Sequence, residues 1–301
     1  MSERPEIITA AIAAFDNTGR LNESANISYL QRLKPFSDGV LAAGTTAEFP
    51  SLSPAERTQL IGWSIEVFGP ERTIAQIGAP SVSQALALMD MAADSGATRF
   101  AAITPYYLTA SQHGVIDYYR SLREHTEGKL YAYVFPDVAN TDVTAHSITL
   151  LQSLGLNGVK LSGTAAARVR EYRRAAPRMD IWSGSDGELP QTMKAGGTGT
   201  VSGVSGVTPQ VWTMLRDALA AEQPGQIYAA QSNAERMVRV LGPSISRLKY
   251  ALTQLGIPAG HCRMPIDEPD GPTRSAIRGV LAEYARSFDE SVSTDLPIQS
   301  R

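Results

Sequence analysis

Leu156-Asn157-Gly158-Val159-Lys160-Leu161-Ser162 reads as a short apolar strand entered through a glycine and left through small polar residues. A glycine between the end of a helix and the start of a strand is the expected chemistry of an αβ loop. The same entry recurs at Asp38-Gly39-Val40 and at Gly96-Ala97-Thr98-Arg99-Phe100. Working outward, strands are expected at Ile7–Ala13, Gly39–Ala43, Thr73–Gly78, Phe100–Thr104, Leu130–Phe135, Gly158–Leu161, Ile181–Ser183 and Gly199–Ser202. Helical patterns fill the gaps. After Gln84, for example, Ala85, Leu86, Leu88, Met89 and Ala92 recur at three- and four-residue spacing. Ser53-Pro54-Ala55-Glu56 is a helix start, with Ser53 as cap, Pro54 in the first turn and Glu56 completing a capping box.

Eight such units in about 210 residues have the length and rhythm of a (β/α)8 TIM barrel. A doubly wound open sheet is the second choice, but the glycine-rich dinucleotide loop it usually carries after its first strand is missing. After Pro224-Gly225 only helical patterns remain, the last placing Ile277, Val280, Leu281, Tyr284 and Phe288 on one face. The chain is therefore expected to form a barrel over residues 1–223 and a helical segment over 224–301 packed on it, ending in a polar tail that frays.

The 301 residues are 43% hydrophobic and 19% charged, enough for a large core. A net charge of −3 with no basic run argues against a nucleic-acid partner. The single cysteine, Cys262, excludes an internal disulfide and fits a reducing cytosol. His113, His125, His146 and His261 are scattered, so no metal site is expected. Ile7–Phe15 is apolar like a signal-peptide core, but Glu3 and Glu6 precede it where positive charge belongs. No run approaches a membrane span. A cytoplasmic protein is expected.

Lys160 is one of only five lysines. At the end of a buried strand it must reach solvent, find a carboxylate, or shed its charge and become a nucleophile toward carbonyls. In a barrel, catalytic groups sit at the C-terminal strand ends. Those ends read Gly44-Thr45-Thr46-Ala47-Glu48, Pro105-Tyr106-Tyr107, Tyr133-Val134-Phe135-Pro136, Lys160 and Ser183-Gly184-Ser185-Asp186. Taken singly, each has a structural explanation: a turn, aromatic packing for Tyr131 and Tyr133, a helix cap for Asp186, a loop brace for Glu48.

Their combination and order resemble the signature of the dihydrodipicolinate synthase / N-acetylneuraminate lyase family, with Gly44–Glu48 followed by Leu52-Ser53 and Glu56-Arg57. The resemblance runs from the first strand into the C-terminal helices. It implies a class I aldolase or lyase that binds pyruvate or another 2-oxo acid as a covalent imine on Lys160, with no separate cofactor. Tyr133 matches the family's proton donor and acceptor. Thr45 and Thr46 match the pair that holds the carboxylate, with Thr45 also in the proton relay. Tyr107 matches a tyrosine that reaches a neighbouring subunit's site, so a homo-oligomer, tetramer or dimer, is implied.

Synthases of this family carry an arginine for the second substrate's carboxylate where Val138 stands. Pro50–Ser53 and Trp182–Asp186 look closer to the 2-keto-3-deoxy sugar acid aldolase branch. Ser162, Thr164, Asp186, Glu188 and Ser205 are expected to bind a polyol chain, and Val201 joins the substrate-binding set. Pro80-Ser81 and Gln84 replace the residues common at the family's lysine feedback site. The favoured substrate is thus a keto-deoxy sugar acid made from or cleaved to pyruvate and an aldehyde. The alternatives are dihydrodipicolinate synthase and, from another class, a non-catalytic 2-oxo-acid binder.

Overall fold

The computed structural model describes residues 4–294, with side chains to Ser287. Eight strands close into a parallel barrel in chain order: β1 (Glu6–Ala10), β2 (Gly39–Ala42), β3 (Thr73–Gln76), β4 (Arg99–Ile103), β5 (Lys129–Val134), β6 (Gly158–Leu161), β7 (Asp180–Ser183) and β8 (Gly199–Ser202). Glu6 pairs with Gly199 and Thr9 with Ser202, which closes the ring and leaves no strand edge. The (β/α)8 expectation holds.

Several strands stop earlier than the apolar runs that announced them. β1 ends at Ala10 although Ala11–Phe15 stay buried, because those residues exchange ladder partners for loop partners. Asn26 takes both the N–H and the carbonyl of Ala14 with its side-chain amide, and Phe15 N–H donates to the Ala259 carbonyl. β2 ends at Ala42 because Ala43 turns to a left-handed φ of 52°. β5 ends at Val134, two residues before Pro136, which has no N–H to give a ladder. These early exits build the mouth at the C-terminal end of the barrel.

Inside, alternation sorts the side chains by depth. Ile8, Leu41, Ile74, Tyr131, Trp182 and Val201 fill one interior cluster, with Tyr131 and Trp182 edge to face at 5.1 Å. Arg99 bonds the Tyr131 hydroxyl and Trp182 Nε1 donates to Glu6, so the polar tips at the floor are satisfied. Tyr133, two residues beyond Tyr131 and on the same face, is thereby lifted toward the mouth.

The helices Pro224–Leu241, Ile245–Gln254 and Gly271–Thr294 follow β8 and the helix Pro209–Ala220. Ile277, Val280, Leu281 and Tyr284 are buried as their spacing predicts; the Phe288 side chain and the tail fall outside the described residues. Met237, Leu241, Leu248 and Ile277 share one apolar cluster with Ile7 of β1 and Trp212, so the segment is packed on the barrel wall. No described helix is long and apolar enough to cross a membrane.

Two ion pairs clamp this segment to the β1 and β2 loops. Lys249 Nζ donates to Glu48 Oε1 at 2.6 Å and to the His261 carbonyl at 3.0 Å, and Met264 N–H donates to Glu48 Oε2 at 2.7 Å. Both side chains of that pair are fully buried. Arg263 forks onto Glu56, holding that carboxyl down at about 2, while Glu56 still closes the Ser53 capping box. The Phe15 ring is in contact with both cations, 4.1 Å from Lys249 Nζ and 4.3 Å from the Arg263 guanidinium carbon.

Removing one partner of a buried pair strands the other charge, which typically costs about 3–5 kcal/mol. Lys249→Met is therefore expected to lower unfolding stability by that amount in urea titration. Adding Glu48→Gln should recover part of the loss, because no unpaired carboxylate remains. A single variant within about 1 kcal/mol of wild type would contradict the clamp.

Candidate active site

The β5–β6 ladder sets Tyr133 directly opposite Lys160, both pointing into the mouth. Lys160 Nζ stands over the Tyr133 ring, 4.1 Å from its centroid. The lysine is 8% exposed and forms no ion pair among the described residues. Its amine is instead directed into the mouth, where it lines the same cavity as Asp186.

The Tyr133 hydroxyl meets Thr45 Oγ1 at 3.1 Å. Thr45 and Thr46 occupy a short 3-10 turn that follows β2 and ends at Glu48, whose backbone is left-handed at φ 59°. A non-glycine residue in that region is strained and has to be held by its surroundings. Here the holding contacts are Lys249 and the Met264 N–H. Glu48 thus braces its own loop, as expected, but from the C-terminal segment more than 200 residues away in sequence.

Lys160, Tyr133, Thr45 and Thr46 line a cavity of about 610 Å³ together with Ser162, Asp186 and Val201. The arrangement supplies an enclosed amine, a phenol linked to a second hydroxyl, and two adjacent hydroxyls on a turn. An amine of this kind condenses with a carbonyl, and a linked phenol and hydroxyl can carry a proton to or from the adjacent carbon.

Three expected residues are not in this cavity. Ser205 is fully buried behind β8, where its hydroxyl meets Thr9 Oγ1 and the Ser202 carbonyl. It follows β8 by three residues, and the chain has already turned into the wall by then. Tyr107 is 83% exposed at φ 78° and stands away from its own chain's mouth. Thr164 is committed to Asp137, which accepts from both its N–H and its hydroxyl.

Sequence reasoning missed the roof. Phe135, Val138 and Ala166 from the β5 and β6 loops, and Val238, Ile245 and Leu248 from the C-terminal helices, line the same cavity. Helical periodicity finds apolar faces, but it does not tell a face on the barrel wall from a face over the mouth.

Burial pushes the Asp186 carboxyl up to about 6, against the opposing pull of the Ser202 hydroxyl, the Lys160 charge and the N–H groups of Val204 and Gly203. Its Oδ1 is buried without a hydrogen-bond partner. No group of three or more His, Cys, Asp or Glu side chains among the described residues is placed to hold a metal.

The Asp186 shift has a definite sign. The folded chain binds this proton more tightly than the unfolded chain, so the carboxyl favours folding at low pH and that contribution is lost as pH rises from about 4 through 6. Asp186→Asn should flatten this part of the stability profile, by about 3 kcal/mol at most, in denaturation followed from pH 4 to pH 7. Parallel profiles for the two proteins would contradict it.

Three comparisons bear on this geometry. The sequence profile of the Dihydrodipicolinate synthetase family matches residues 4–283. The chain is 28% identical to an uncharacterized DapA-like lyase of Halobacterium salinarum over 92% of this chain and 93% of the relative. It is 29% identical to a 4-hydroxy-tetrahydrodipicolinate synthase of Rhodopseudomonas palustris over 91% and 94%. Among solved structures, the dihydrodipicolinate synthase DapA-2 of Bacillus anthracis superposes with a TM-score of 0.87 at 22% identity, covering 94% of this chain and 99% of that one. A 2-keto-3-deoxygluconate aldolase variant of Sulfolobus solfataricus gives 0.85 at 23%, covering 95% and 98%. The profile match over nearly the whole barrel and most of the helical segment places the chain in the dihydrodipicolinate synthetase family of pyruvate-dependent class I aldolases and lyases.

Proposed function

We propose that the chain joins or cleaves a carbon–carbon bond between pyruvate and an aldehyde through an imine on Lys160. The observation that carries this is the enclosed, unpaired Lys160 amine at 4.1 Å from the ring of a tyrosine whose hydroxyl reaches Thr45. In this reading Lys160 Nζ adds to the pyruvate C2 carbonyl and water leaves, giving a protonated imine. The carboxylate rests on the Thr45-Thr46 turn. The Tyr133 phenol, relayed by Thr45, handles the C3 proton as imine and enamine interconvert. The enamine carbon attacks the aldehyde carbonyl, whose oxygen takes up a proton, and hydrolysis frees the product and the amine. No cofactor is needed.

The aldehyde partner in this reading is uncharged. Among the described residues Lys160 is the only cation lining the cavity, and as a protonated imine its charge is matched by the pyruvate carboxylate, while Asp186 and Glu188 also line it. A second carboxylate held roughly 5 Å from either ionised acid would be opposed by about 3 kcal/mol at an effective dielectric of 20. Kinship to the Rhodopseudomonas palustris synthase favours dihydrodipicolinate synthesis as the second reading. Val138, in place of the carboxylate-gripping arginine, weighs against it. An uncharged aldehyde, of which the hydroxyaldehyde released by a 2-keto-3-deoxy sugar acid is one, therefore ranks above the aldehyde acid. Tyr107 is assigned to the mouth of a second copy in a homo-oligomer, and a cytoplasmic setting completes the proposal.

The pyruvate half is testable without knowing the aldehyde. Wild-type protein should exchange the methyl protons of pyruvate for deuterium, followed by proton NMR. Tyr133→Phe should slow this by about 10²–10⁴-fold and Lys160→Ala should abolish it. No exchange above buffer in the wild type would favour a protein that only binds 2-oxo acids.

A further inference from the structure

The acceptor half of the cavity has two unlike surfaces. Phe135, Val138 and Ala166 from the β5 and β6 loops face it, and Val238, Ile245 and Leu248 close it from the C-terminal helices. Val138 is 51% exposed, an apolar side chain left open at the rim rather than packed into the core. Its position is fixed by the neighbouring Asp137, which is tied to both the N–H and the hydroxyl of Thr164 across the β5–β6 loops. The apolar rim is therefore part of a pinned loop.

The polar side is thinner than a polyol needs. Of the five groups expected for hydroxyls, Thr164 is bonded to Asp137 and Ser205 is buried behind β8. Glu188 already accepts from Ser185 Oγ at 2.8 Å. What remains for a ligand is Ser162, the Asp186 carboxyl and the second carboxylate oxygen of Glu188 at the rim. Each hydroxyl drawn out of water without a partner weakens binding, whereas apolar surface laid on the roof strengthens it.

Building on the pyruvate-aldolase reading, we propose that the acceptor is an uncharged aldehyde carrying an apolar alkyl or aromatic group, which packs between the β5–β6 loops and the C-terminal helices. Its single polar function, the aldehyde oxygen or a hydroxyl beside it, faces Ser162 and Asp186. Val138 is the residue that sets this preference, because it occupies the rim where a cation would admit an acid. The chemistry is the aldol step already described, with the carbon–carbon bond formed between pyruvate C3 and the aldehyde carbon and the proton taken up by the new alkoxide.

The test is a panel of aldehydes offered with pyruvate: benzaldehyde, isobutyraldehyde, glyceraldehyde and aspartate semialdehyde. The expected result is a kcat/KM for one or both apolar aldehydes at least about tenfold above the other two. Val138→Arg should raise the ratio of semialdehyde to benzaldehyde turnover by about tenfold or more; a ratio within one protein is insensitive to the amount folded. Pyruvate deuterium exchange by the wild type separates the two levels of the claim. Without exchange the aldolase reading fails and this proposal with it. With exchange, but with glyceraldehyde or the semialdehyde preferred, or with the ratio unmoved by Val138→Arg, the apolar acceptor alone is overturned.

Discussion

The register between β5 and β6 is the constraint on which the site rests. A one-residue slip would turn every side chain of one strand to the other face, taking Lys160 away from Tyr133 and into the helical layer. Closure of the barrel forbids that slip, because each strand is held by two neighbours and β1 is locked to β8. The floor layer adds to the lock: Tyr131 and Trp182 fill the interior below, so Tyr133 and Lys160 are carried to the mouth by alternation alone.

The remaining half of the constellation comes from a strained turn, and the strain explains why the C-terminal helices matter. Thr45 reaches Tyr133 because the turn after β2 is bent back through the left-handed Glu48. That carboxylate is held by Lys249 and the Met264 N–H, while Arg263 holds the start of the next helix through Glu56. With the Phe15 ring against both cations, loops after the first two strands and the helical segment form one unit. The same segment supplies Val238, Ile245 and Leu248 to the cavity, so it both fixes the carboxylate-binding turn and shapes the acceptor half.

The barrel was legible because its signals are local and repeated. Glycine-led apolar runs mark strand starts, and Ser53–Glu56 marks a helix start by spacing alone. Strand ends were less legible, since Ala11–Phe15 is as apolar as β1 and leaves the ladder only because Asn26 and Ala259 offer other partners. Lys160, Tyr133, Thr45 and Thr46 could be placed because a parallel barrel brings its strand ends together whatever their separation in sequence. Ser205 was misplaced by the same logic, taken one turn too far past β8. The Glu48–Lys249 pair and the apolar roof could not be read, because both depend on how the last helices cross the barrel, and no local pattern encodes a crossing.

The account stands or falls on Lys160 as the nucleophile. Incubation with pyruvate and borohydride, followed by peptide mass analysis, tests this most directly. The account predicts one carboxyethyl group on the peptide containing Lys160, absent when borohydride is added without pyruvate. Unmodified Lys160, or modification spread over Lys34, Lys129 and Lys194 instead, would contradict it.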